Sequence, residues 1–75
     1  REAHILAGAQ ISGSAIWDGC QIESGAVVDA SIVGYNCYIG DGAQIAGSII
    51  GDSCIIRAGT VITSGTIVQP GTTLP

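Results

Sequence analysis

The chain has 75 residues and a net charge of −4, with two basic residues against six acids and no Phe or Met. That length holds one domain at most, and a compact globule of this size would be only marginally stable. With no cluster of Lys and Arg to neutralise phosphates, a nucleic-acid binder is excluded and an anionic membrane surface is disfavoured. No apolar run approaches the ~20 residues that span a bilayer.

The chain starts at Arg1 rather than Met and carries no signal peptide, so residues 1–75 read as one domain excerpted from a longer polypeptide. Its three cysteines are an odd number, which excludes a full disulfide framework. Reduced thiols and a cytoplasmic origin follow as the expectation.

Large aliphatic residues recur along the whole chain, each preceded two positions earlier by a small residue. The first turn pairs Ile5, Ile11 and Ile16 with Ala3, Ala9 and Ser14. The second pairs Ile22, Val28 and Val33 with Cys20, Ala26 and Ser31, and the third pairs Ile39, Ile45 and Ile50 with Cys37, Ala43 and Ser48. The fourth pairs Ile56, Ile62 and Val68 with Cys54, Thr60 and Thr66, and a fifth begins with Leu74 and Thr72. A large and a small residue two apart point to the same side of a strand. No 3.6-residue stripe is present, and the density of Gly and β-branched residues also opposes helix.

Three residues after most of the large positions stand Gly8, Gly19, Gly25, Asn36, Gly42, Gly59, Gly65 and Gly71, residue types that accept positive φ at a tight corner. Ser53 takes that place once, and backbone strain is expected there. Two six-residue steps and one five-residue step make a coil of 17 residues. Successive coils stack at about 4.8 Å, so about four coils make a rod roughly 20 Å tall. The last coil requires one extra residue near Ser64–Gly65 to keep the columns aligned.

The segments "IWDGCQIESGAV" and "IGDGAQIAGS" resemble the hexapeptide repeat of left-handed parallel β-helix proteins. The resemblance covers essentially the whole chain. It implies an all-β fold of about four triangular coils and a left-handed turn, where ordinary crossover rules favour the right-handed one. The segments "GSAIWDGCQI", "ASIVGYNCYIG" and "GSIIGDSCII" recur every 17 residues. They resemble the C-terminal β-helix of sugar-1-phosphate nucleotidyltransferases, in particular the mannose-1-phosphate guanylyltransferase-like members. That resemblance implies a parent enzyme that joins a nucleoside triphosphate to a sugar 1-phosphate with magnesium, in an upstream domain. Similar turns occur in exchange-factor subunits of translation initiation and in hexapeptide acyltransferases. A fragment of such an acyltransferase, with His4 as base, and a purely structural repeat module stand as the alternatives.

Stacking by 17 makes three interior ladders, and none reads as a catalytic or cofactor site. Cys20, Cys37 and Cys54 form one column, but parallel side chains do not converge on a tetrahedral metal and fit a disulfide dihedral poorly. They are expected to fill a narrow corner as small apolar residues. Ser14, Ser31 and Ser48 have no histidine beside them to act as base. "GDGAQI" at 40–45 has Ile45 where a dinucleotide fingerprint needs its third Gly. No catalytic, cofactor or metal ligand is therefore expected within the chain.

The residues just before the large positions point outward. Two faces are mixed, with Gln10, Val27, Gln44 and Val61 on one and His4, Gln21, Tyr38, Ile55 and Thr73 on the other. The third presents Ala15, Ile32, Ile49 and Ile67 in one column, with Trp17 close by. Aligned apolar residues on an outer face make a patch that usually meets a partner. The expected partner is the upstream catalytic domain, a second copy of the chain, or both.

Overall fold

A computed structural model describes residues 3–74. Short strands and tight corners alternate throughout, with no helix among the described residues. The first coil contains β1 (His4–Ile5), β2 (Gln10–Ser12) and β3 (Ala15–Ile16). The second contains β4 (Gln21–Ile22), β5 (Val27–Asp29) and β6 (Ile32–Val33). The third contains β7 (Tyr38–Ile39), β8 (Gln44–Ala46) and β9 (Ile49–Ile50). The fourth contains β10 (Ile55–Ile56), β11 (Val61–Ile62) and β12 (Ile67–Val68), and β13 (Thr73–Leu74) opens the next.

Every strand pairs in parallel with its counterpart one coil away. Sheet A runs β1-β4-β7-β10-β13, sheet B runs β2-β5-β8-β11 and sheet C runs β3-β6-β9-β12. The result is a β-solenoid of about four turns, consistent with the left-handed parallel β-helix that the resemblance implied. The register is 17 residues between most coils, as in His4↔Gln21 and Ala15↔Ile32. It becomes 18 at Ile49↔Ile67 and Ile55↔Thr73, so the extra residue lies where the aliphatic spacing requires it.

The core is the stack of inward pairs. Ile22, Val28, Val33, Ile39, Ile45, Ile50 and Ile56 are fully buried, and the small columns Cys20, Cys37, Cys54 and Ala26, Ala43 close the space between them. A narrow triangular interior admits one branched chain and one small residue per wall, which explains the strict large-small pairing. The ends differ. Ile5 at the first coil is 49% exposed, whereas Ile62 at the fourth is 4% exposed.

The corners follow their length. Gly8, Gly19, Gly25, Asn36, Gly42, Gly59, Gly65 and Gly71 all take positive φ, and Ser53 joins them at 58°. At the five-residue steps the left-handed residue comes one position earlier: Gly13, Ala30 and Gly47, with Ala30 at 50°. The three-residue rule missed this second set, because a corner with one residue fewer must reverse sooner.

At the short corners the backbone joins neighbouring coils through Ala30 N–H to Ser12 O and Gly47 N–H to Asp29 O, and the serine column takes up the next N–H along. Ser14 Oγ accepts the Ser31 N–H at 3.0 Å, and Ser31 Oγ accepts the Ser48 N–H at 3.1 Å. Each hydroxyl then donates to the carbonyl two residues back, Ser12, Asp29 and Ala46 in turn. The relay changes at the 18-residue coil, where Ser48 Oγ donates to Thr63 O at 2.8 Å. No helix among the described residues is long and apolar enough to cross a membrane.

Candidate functional site

Sheet C is built from doubled aliphatics. In each of β6, β9 and β12 the second residue, Val33, Ile50 or Val68, is buried, while the first, Ile32, Ile49 or Ile67, faces out. Strand alternation forces this division once the inward residue is set. The outward residues fall in one register column, Ala15↔Ile32↔Ile49↔Ile67. Ile32, Ile49 and Ile67 are 46%, 47% and 66% exposed. Their backbone is tied down: Ile32 N–H donates to Ser48 O and Ile49 N–H to Thr66 O, both at 3.0 Å. The patch is therefore a rigid ridge of methyl groups.

Trp17 borders this ridge at the corner between sheets C and A. Its ring meets Tyr35, with centroids 5.4 Å apart and planes tilted by 43°. Both rings are exposed. Tyr35 was not among the expected surface residues, because it lies one position off the Trp17 column. The available signal was Gly34, which stands in that column and has no side chain to separate the two rings. Asp52, on the same corner, accepts the Tyr35 N–H through Oδ1 at 2.9 Å.

The other faces also expose apolar side chains, notably Tyr38 and Ile55 on sheet A and Val61 on sheet B. Glutamines interrupt both, at Gln21 in sheet A and at Gln10 and Gln44 in sheet B. Sheet C has no polar residue in its outward column.

The buried serines and cysteines are hydrogen-bonded within the fold. The three thiols are free and buried. Cys20, Cys37 and Cys54 donate to the carbonyls of Gly34, Gly51 and Gln69 at 2.9, 3.0 and 3.1 Å. Burial pushes the Cys37 thiol up from 9.0 to about 11, opposed by a backbone hydrogen bond and reinforced by the neighbouring Cys20 and Cys54. A thiol held protonated is a poor nucleophile and a poor metal ligand. Among the described residues no group of three or more His, Cys, Asp and Glu could hold a metal ion. His4 lies exposed on β1, outward beside Gln21, away from the serine column on the wall of sheet C.

This arrangement offers a stiff apolar strip with an aromatic border, which suits contact with another surface. A comparison with curated proteins returns no match. A comparison with protein families matches residues 1–74 to the GMPPB C-terminal domain. The match spans nearly the whole chain and agrees with its stacked, parallel-stranded fold, so the chain belongs to the GMPPB C-terminal domain family.

Proposed function

We infer that the chain is the non-catalytic C-terminal domain of a cytoplasmic sugar-1-phosphate nucleotidyltransferase that makes nucleotide sugars such as GDP-mannose. Its role is assembly: the sheet C ridge rests on the upstream catalytic domain or on another subunit. Family membership supports the parent reaction. Magnesium belongs to that upstream chemistry; among the described residues no three His, Cys, Asp or Glu side chains gather to hold a metal ion.

The observation that carries the assembly role is the unbroken column Ile32, Ile49, Ile67. Covering a half-exposed Ile is worth about 1 kcal/mol, roughly half the value of full burial. A carboxylate placed there must be desolvated instead, at a larger cost. The test compares Ile49→Asp with Val61→Asp, a similarly exposed change on sheet B. In the isolated chain both should keep the far-ultraviolet spectrum and melting of the wild type. In the longer polypeptide Ile49→Asp should uncouple the melting of the two domains or lower the mass seen by light scattering. Equal behaviour of the two variants there refutes the assembly role.

A further inference from the structure

The charges around the ridge say what kind of surface fits it. Asp29 ends β5 at the corner between sheets B and C, and Asp52 follows β9 at the corner between C and A. They stand on opposite edges of the Ile32–Ile49 patch, both exposed. The one described Arg or Lys is Arg57, which follows β10 at the corner between sheets A and B, the corner that does not border sheet C. Glu23 and Asp41 occupy that same remote corner.

A two-fold dimer through sheet C would lay this face on itself. Among the described residues each copy would bring carboxylates and no Arg or Lys to the rim, and like charges brought together at an interface suppress that pairing. We propose that sheet C seats a different polypeptide surface, apolar at its centre and carrying Lys or Arg at its rim opposite Asp29 and Asp52, rather than a second copy of the chain. This rests on the docking role argued above and narrows the partner.

The chain itself supplies the reporter, since Trp17 is the only tryptophan and borders the patch. Two blocked peptides serve as probes, one alternating Leu with Lys and the other Leu with Glu. The Lys peptide should shift Trp17 emission, and its affinity should fall about tenfold or more between low and high salt. Asp29→Asn with Asp52→Asn should weaken it by a similar factor, while the charge-matched pair Glu23→Gln with Asp41→Asn should not. Ile32→Ser with Ile49→Ser should abolish binding without changing the melting of the chain. The Glu peptide should not bind, and light scattering should give the chain alone a monomer mass.

Equal binding of both peptides, insensitive to the Asn pair, overturns the basic-rim proposal and leaves the docking role standing. So does a dimer of the chain that Ile49→Asp dissociates. Binding that survives loss of both isoleucines overturns the proposal, and a monomer that binds neither probe removes the docking role with it.

Discussion

Replacing Ser31 with Ala tests whether the serine column holds the short corners together. Ser31 is 2% exposed. Its Oγ accepts the Ser48 N–H at 3.1 Å and donates to Asp29 O at 2.8 Å. Asp29 O also accepts the Gly47 N–H at 2.9 Å, so that carbonyl stays bonded in the variant. The Ser48 N–H is left buried without its acceptor, which costs about 1–3 kcal/mol. The expected loss is therefore about 2 kcal/mol, a large part of the ~4–11 kcal/mol typical for a chain of this length. The midpoint of thermal unfolding should fall by about 10–15 °C. Ser48→Ala is the internal comparison, because Ser48 Oγ holds no N–H and its single hydrogen is shared between Ala46 O and Thr63 O. It should cost about 1 kcal/mol. Urea unfolding followed by circular dichroism measures both. If Ser31→Ala lies within about 0.5 kcal/mol of wild type, the range of an inconsequential substitution, or if Ser48→Ala costs more, the hydroxyl is not the acceptor that holds the corner.

Other substitutions probe the remaining strained or orphaned positions. Ala30 sits at φ 50°, so Ala30→Gly should stabilise by about 0.5–1 kcal/mol, the relief of left-handed strain less the entropy that glycine gains on unfolding; a loss of stability in a urea titration contradicts this. Thr60 Oγ1 is buried without a hydrogen-bond partner, and Thr60→Val should raise stability by about 1 kcal/mol or more, read in the same titration. For Cys37 the folded thiol titrates near 11 against an ordinary 9.0. Its contribution is complete below pH 9.0 and disappears as pH rises towards 11, for a total of about 2–3 kcal/mol. Wild type should therefore lose more stability than Cys37→Ala between those limits. An identical alkaline slope for the two would show that the thiol ionises freely in the fold.

The coil period, the three ladders and the outward ridge were legible because each rests on a side chain of a distinctive size. Ile49 beside Ile50 announces one residue in and one residue out, and Thr66 and Thr72 reveal the extra residue by their displaced spacing. What stayed hidden depends on backbone geometry. Ala30 looks like any small residue, yet it occupies the left-handed place that Gly13 and Gly47 fill in neighbouring coils. The contact of Trp17 with Tyr35 joins residues 18 apart across a 17-residue register, so no column predicts it. The thiol column read as small residues filling the interior, and all three thiols lie buried and free there. Its bonds to the carbonyls of Gly34, Gly51 and Gln69 required coordinates to see.

The 18-residue coil also says how such a chain can change length. Its added residue falls at the corner between β11 and β12, and the columns on either side stay aligned. Inside a strand the same insertion would turn Ile out and its neighbour in, exchanging wall for surface along that coil. Corners therefore absorb single residues, whereas the walls accept only whole coils. A lineage of such chains can drift in length at its corners and otherwise grows or shrinks by a full turn, carrying one more or one fewer outward residue on each face.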